Sequence, residues 1–316
     1  MRKLPSRILH LVGVMFFVSI VTFFMVDLLP GSLADALLGD QATAEDLARV
    51  EAELGLDKPT YQRYLIWLAD ALRGDLGRSY ITSESIGGAI ADRLPVSIEL
   101  MVLAQVLALA IAVPFGVLAG YREGSLIDKA ISSAAFGVLA IPSFVSGILL
   151  ILIFAIWLRV LPATGFVPLS EGIWPNIRSM ILPSLTLALV EAPAYLRLLR
   201  SDLTSTLRED FVAVARAKGL SDFRILVSHA LRPSSFSLIT VMGINIGHLI
   251  GGAIVIETLF ALPGVGGMLI ESIGKRDYLA IQGIVLVVSF AFVFVNLLVD
   301  LMYAVLDPRI RHAATR

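Results

Sequence analysis

The sequence predicts an all-α integral membrane protein with six transmembrane helices and a folded extracytoplasmic segment after the first. Three observations predict it. Hydrophobic residues make up 57% of the 316 and charged residues 16%, with a mean hydropathy of +0.85, whereas soluble domains run at about 25% charged and about 45–50% apolar. Six stretches reach the roughly 20 apolar residues that a helix needs to cross a hydrocarbon core of about 30 Å. Lys and Arg, finally, fall unevenly between alternate connections, as membrane insertion requires.

The six stretches are Ile8–Leu29, Ser97–Ala119, Ala130–Leu158, Ile181–Leu199, Phe236–Leu262 and Ile281–Leu306. The first follows Arg2, Lys3 and Arg7, as the apolar core of a secretory signal would. It is too long for such a core and lacks a small-residue cleavage site, so it reads as a span. The third is long enough to tilt, or to leave the membrane at Trp157, and Pro114, Pro142, Pro183 and Pro193 predict kinks. The chain then divides into an N-terminal tail with the first helix (1–29), an extracytoplasmic segment (30–96) and a five-helix core (97–316).

Orientation follows from the connections. Arg2, Lys3, Arg7, Arg122, Lys129, seven basic residues between Arg197 and Arg232, and Arg309, Arg311 and Arg316 share one face. The other face has fewer, and most of those lie in the first connection, which exceeds the roughly 60 residues over which the positive-inside rule counts. Both termini are therefore expected in the cytoplasm.

Between Pro30 and Pro95 the chain is polar but patterned. Ala44–Leu54 alternates acidic and apolar residues at helical spacing, Tyr61, Tyr64, Leu65 and Leu68 repeat at three and four, and Lys58-Pro59 separates the two. Two readings stay open: a cap over the span ends, or a docking surface for a solute-binding protein. A second outer segment, Glu257–Gln282, holds Pro263-Gly264-Val265-Gly266-Gly267 ahead of a helical stripe of Leu269, Ile270 and Ile273. It lacks the Gly-Lys-Ser/Thr ending of a nucleotide loop and reads as a tight turn before a re-entrant or interfacial helix. No nucleotide loop of that kind occurs elsewhere, so energy from ATP must come through a partner.

Composition excludes further classes. There are no cysteines, and the histidines are His10, His229, His248 and His312, widely separated. Disulfides, thiolate chemistry and a cysteine-bearing zinc site are ruled out, and no metal cofactor is expected. The net charge of −1 with scattered basic residues points to no nucleic-acid partner.

A polar helix-turn-helix, about 207–233, interrupts the hydrophobic sequence. Leu207, Phe211 and Val214 fall on one helical face, while Arg208, Glu209, Arg216 and Lys218 point elsewhere. Gly219 supplies a left-handed stop, Ser221 a cap, Asp222 a first-turn acid, and Phe223, Leu226 and Ala230 a continuing apolar stripe. Such a hairpin is a handle for a separate motor, a surface hairpin packed on the bundle, or a headgroup-binding helix. Within the spans, Glu99, Gln105, Glu191, Asn245 and His248 are the polar groups at membrane depth. Glu191, Asn245 and His248 either line a pathway or satisfy kinked backbone and subunit contacts.

The chain resembles the first-permease subunit of the dipeptide and oligopeptide ABC importer family over nearly its whole length. The resemblance rests on an ordered set: Asp27-Leu28-Leu29-Pro30-Gly31, Leu54-Gly55-Leu56-Asp57-Lys58-Pro59 with Tyr64, Gly74-Asp75-Leu76-Gly77-Arg78-Ser79, Arg93-Leu94-Pro95, and Ile141-Pro142-Ser143-Phe144. It continues through Ala215-Arg216-Ala217-Lys218-Gly219-Leu220, Pro263-Gly264-Val265-Gly266, Arg276-Asp277-Tyr278 and Leu306-Asp307-Pro308-Arg309. It implies the type I ABC importer permease architecture, with a cytoplasmic coupling helix seated in a groove of an ATPase subunit. Phe211, Ala215, Arg216, Ala217, Lys218, Gly219 and Leu220 would form that contact, the small residues allowing close approach. Of the family's Glu-Ala-Ala…Gly form this sequence keeps Ala213, Val214, Ala215 and Gly219, without the glutamate.

The resemblance further implies the plasma (inner) membrane of a bacterial cell as location, a second homologous permease, one or two ATPase subunits holding ATP and Mg, an extracytoplasmic solute-binding protein, and a short peptide as cargo. No cofactor is expected on this chain. Relatives of this type also move nickel chelates, haem and other peptide-like solutes. Two other classes predict different sequences. An ion-driven secondary carrier calls for intramembrane coupling residues and inverted repeats, and a membrane hydrolase for a nucleophile elbow; neither pattern is present.

Overall fold

A computed structural model describes residues 4–27 and 58–306. The helix expected over Ala44–Leu54 lies outside the described residues, as do most of the first two matching motifs and Asp307-Pro308-Arg309. Helix α1 spans Leu4–Asp27, α2 Thr60–Leu72 and α3 Ile86–Tyr121. Next come α4, Leu126–Leu139, α5, Ser143–Trp157, and α6, Ile173–Thr206. The last four are α7, Asp210–Ala217, α8, Asp222–Leu259, α9, Val265–Lys275, and α10, Tyr278–Leu306. The described residues are otherwise turns, irregular stretches and one short 3₁₀ segment, Leu169–Glu171, with an isolated bridge between Arg78 and Ser85.

Among the described residues four helices are long and apolar enough to cross a membrane: α3, α6, α8, and α10 over Tyr278–Val299. The pair α4 and α5 makes a fifth if it is counted as one broken span, and α1 is apolar over Leu11–Met25.

The third predicted span, Ala130–Leu158, is two helices meeting at 104°. Proline explains the break. Pro142 has no N–H and disfavours helical backbone at Ile141, so α4 stops at Leu139 and Pro142 becomes the N-cap of α5. Pro183 and Pro193, by contrast, lie inside α6 without ending it. Packing supports that helix from several sides: 72% of its most apolar window is buried, against 28% in α3, α8 and α10.

Two other boundaries move. Helix α3 begins at Ile86 rather than Ser97, because Ile86 and Ile90, one turn apart, bury the same face. Helix α8 begins at Asp222, not Phe236, so the second half of the polar hairpin and the span after it are one helix. Its residues Ile225–Ala230 form a wide π-helical segment just ahead of Pro233. Pro233 cannot donate to the His229 carbonyl and its ring crowds that oxygen, which favours the wider turn there.

Two compact units form. The first comprises Met1–Val96 with Pro263–Leu297, the second Ser97–Leu262 with Leu298–Arg316. In the first, the periodicity around Tyr64 buries that tyrosine while Tyr61 and Leu65 stay exposed. Phe23 meets the Tyr64 ring edge-on at 5.4 Å and the Trp67 ring at 5.5 Å, and Ser19 and Tyr64 share a hydroxyl hydrogen bond of 2.9 Å. Aromatic pairs of this kind add about 0.5–1.5 kcal/mol beyond the area they bury.

A second cluster in the same unit joins Ile86 and Ile90 to Val265, Met268, Ala280 and Ile284. The expected stripe on α9 is therefore rotated: Val265, Met268 and Ser272 face inward, while Ile270 and Ile273 are exposed. The second unit is built on α6, whose Ala188, Ala192, Tyr195, Leu196 and Leu199 pack with Ala108, Ala112, Ala135 and Leu238. Small side chains dominate that seam, so helix axes approach closely.

Candidate functional site

The polar hairpin is built from the end of α6 onward. After Thr206 the chain turns through Leu207–Glu209, with Arg208 N–H donating to the Ser205 carbonyl at 3.1 Å and Glu209 N–H to Thr206 at 3.2 Å. Helix α7 follows with Asp210 in its first turn and Arg216 in its last, each opposite in sign to the partial charge of its helix end. Lys218 N–H bonds the Val214 carbonyl at 3.1 Å, and Leu220 N–H reaches back to Ala215 at 3.3 Å. Between them Gly219 sits at φ +77°, the left-handed stop expected of it.

Turn and helix are held by a small apolar cluster of Val212, Ala215 and Ile225, with Leu207 and Leu220 against it. Of the apolar face formed by Leu207, Phe211 and Val214, only Leu207 packs against this cluster. Phe211 and Val214 are exposed, as are Arg216, Ala217 and Lys218. Ala215, expected to offer a partner close approach, is only 5% exposed and packs within its own chain. Phe223 is 76% exposed, and Ile225 takes the inward place in the stripe. The reason is geometric: Val212 and Ala215 are three apart and point back at α8, which leaves Phe211 and Val214 on the opposite side. Ser221 occupies the N-cap position of α8 but its side chain makes no capping bond there. Asp222 fills the first turn and faces the Arg216 guanidinium at 3.7 Å.

A second polar cluster lies within the spans. Asn245 Nδ2 donates to Glu191 Oε2 at 2.5 Å, so the structure brings together two residues singled out from sequence. Glu191 is buried, Asn245 half-buried and His248 exposed on the same helix as Asn245. Gln105 joins through a residue that the sequence reading missed: its Nε2 donates to Tyr195 Oη at 3.2 Å, and Tyr195 is fully buried. The spacing of four between Glu191 and Tyr195, which puts them on one helical face, is the signal that could have found it. Glu99, by contrast, has one buried carboxylate oxygen without a hydrogen-bond partner among the described residues.

The two clusters offer an exposed apolar and basic patch on a short, well-anchored helix, and a hydrogen-bonded polar group on helices long and apolar enough to cross a membrane.

Comparison with known proteins follows the same lines. Residues 112–312 match the family described as binding-protein-dependent transport system inner membrane component, and residues 1–101 match the N-terminal family of the same membrane component. A Brucella abortus (strain 2308) protein, provisionally named as a peptide transport system permease protein, is 39% identical over 307 residues, covering 97% of this chain and 98% of that protein. A Sinorhizobium fredii protein, provisionally named as a peptide ABC transporter permease, is 37% identical over 306 residues and similarly covered, at 97% and 98%. The dipeptide transport system permease protein DppB of Escherichia coli (strain K12) is 35% identical over 319 residues, covering 93% and 94%.

Proposed function

The chain belongs to the binding-protein-dependent transport system inner membrane component family, and from that premise we propose that it is a permease subunit of an ATP-driven importer of short peptides. The observation that supports this best is the full-length similarity to peptide and dipeptide permeases. In this reading the chain crosses a bacterial plasma membrane six times, with α1 as the first span and the bent pair α4 and α5 as the third. Both termini face the cytoplasm. It forms half of a translocation pathway with a second, homologous permease, and a solute-binding protein delivers the peptide from outside.

Helix α7 is the coupling helix. Phe211 and Val214 are exposed apolar side chains on a helix whose Val212 and Ala215 are buried, and Arg216, Ala217 and Lys218 flank them. An apolar groove edged with acidic groups on an ATPase subunit suits that patch. Ala215, Gly219 and Leu220 act from beneath, by packing and by shaping the turn. ATP and Mg reside on that partner, whose closure moves α7. Along the pathway we place Glu191, Asn245 and His248. The hydrogen bond from Asn245 makes Glu191 tolerable at membrane depth, and His248 leaves a polar side chain open to a passing peptide.

The test is a cysteine at Ala217 in a chain that has none of its own. In membranes of its own host, cross-linking should capture an ATPase subunit, and gentle purification should also recover a second permease and a solute-binding protein carrying peptide. A chain recovered without an ATPase would overturn the proposal in favour of an ion-driven carrier.

A further inference from the structure

Three arginines of α6 and its exit, which the sequence offers only as topology-setting charges, are all engaged by the hairpin of α3 and α4. Arg200 grips Asp128 with two nitrogens, Nε to Oδ1 at 2.5 Å and Nη2 to Oδ2 at 2.7 Å. The Asp128 side chain is only 3% exposed and is held further by Gly124 N–H at 2.8 Å and the Ser132 hydroxyl at 3.3 Å. Arg208, two residues before α7, reaches Glu123 Oε2 with Nη2 at 2.6 Å. Arg197 lays its guanidinium over the Phe136 ring at 4.5 Å.

Backbone packing reinforces these contacts. A Cβ at Gly116 would stand 3.0 Å from the Leu196 carbonyl oxygen, and one at Gly120 3.1 Å from that of Arg200. Glycines four apart therefore seat the end of α3 directly on α6. A bidentate arginine–carboxylate pair that is mostly desolvated fixes geometry as well as distance.

We propose that Asp128 and Arg200, assisted by Glu123 and Arg208, are positioning residues that brace the coupling helix to the start of α4. The brace rests on the reading of α7 as the ATPase contact. Displacement of α7 reaches the end of α6 through Leu207, which packs in the α7 cluster, and through Arg208. Asp128–Arg200, Glu123–Arg208 and the glycine seam then carry it into the hairpin of α3 and α4. Helix α4 leads straight into the 104° break before α5, so the stroke is delivered to the most sharply bent part of the bundle.

The experiment uses the complete transporter purified from its host membrane, with spin labels on Leu126→Cys and Ala217→Cys, both exposed positions. Pulsed electron resonance measures their separation without nucleotide and with ATP plus vanadate. A brace predicts one narrow separation in both states. Asp128→Asn should broaden it, or make it shift between states by about one helical turn, roughly 5 Å. Since Asp128→Asn can impair assembly, the exposed pair provides a second test: Glu123→Lys should loosen the separation and Glu123→Lys with Arg208→Glu should restore it. A wild-type separation that itself changes between states, or variants that leave it narrow, would overturn the brace. Absence of an ATPase from the purified complex would instead overturn the coupling reading, so the two failures are distinguishable.

Discussion

Ser79 donates its hydroxyl hydrogen to the Asp277 carboxylate across 198 positions of sequence. The same Ser79 oxygen accepts the N–H of Thr82 at 2.9 Å, and Asp277 Oδ1 accepts the N–H of Ala280 at 3.2 Å. Both side chains are buried. The motif ending at Ser79 and the motif Arg276-Asp277-Tyr278 are thus two halves of one polar joint in the first unit, each satisfying the other.

Removing one half leaves a buried carboxylate oxygen short of its donor. Ser79→Ala should lower stability by about 1–3 kcal/mol, read as a reduced thermal midpoint of the purified protein in detergent. An unchanged midpoint would mean that water replaces the hydroxyl.

At Gly219 the cost of substitution is conformational, since a Cβ there would meet nothing within 4 Å while φ is +77°. Gly219→Val should strain the turn by about 1–2 kcal/mol, leaving membrane insertion intact but separating ATP hydrolysis from peptide uptake. Gly219→Asn, which tolerates left-handed backbone, should retain most coupling. Equal behaviour of the two variants would show that side-chain bulk, not backbone, matters there.

Single cysteines on α7 should report its buried and exposed faces. In inverted vesicles holding this chain without its ATPase partners, Ala217→Cys should react readily with a membrane-impermeant maleimide, and Ala215→Cys, in the cluster with Val212 and Ile225, should react at least about tenfold more slowly. Comparable rates would mean that α7 lifts off its cluster in the resting protein.

The Glu191–Asn245 pair is suited to a double-mutant cycle. Asn245→Leu should destabilise wild type more than it destabilises Glu191→Leu, with a coupling of about 1 kcal/mol or more for the 2.5 Å contact. Additive effects on unfolding in mixed detergent would place the two residues in independent environments.

Glu271 gives a pH dependence. Its hydrogen bond from Lys275, at 2.6 Å, is the main influence, and with nearby Arg93 it holds the carboxyl below its ordinary value despite partial burial. A depressed carboxyl pKa stabilises the fold above the unfolded value and loses that contribution as pH falls through the folded one. The group is half exposed, so the effect is small. Wild type should therefore melt slightly above Glu271→Gln at pH 6, and the two midpoints should converge near pH 3. A gap that persists at that pH would assign the effect to packing.

How much of this was legible beforehand varies by residue. The turn at Gly219 could be read because a left-handed stop after an amphipathic run is a local property of the chain. The break at Pro142 could be read as a kink for the same reason, though not its angle. The sequence marked an apolar face on α7 but not which of its residues turn inward. Leu207, Phe211 and Val214 carry the larger apolar groups, and burial was decided instead by which residues point at Ile225 on the neighbouring helix.

The sequence by itself determined the membrane class, the approximate spans, the polar hairpin and the family. Those depend on composition, on a period near 3.6, and on motifs whose order lies along the chain. Only the tertiary structure decided that Ser79 answers Asp277, that Tyr195 links Gln105 into the intramembrane cluster, and that Arg200 belongs to Asp128. Each of those pairs lies 72 or more positions apart, and hydrogen bonds act over about 3 Å of space. Linear spacing holds no record of such distances until helices pack.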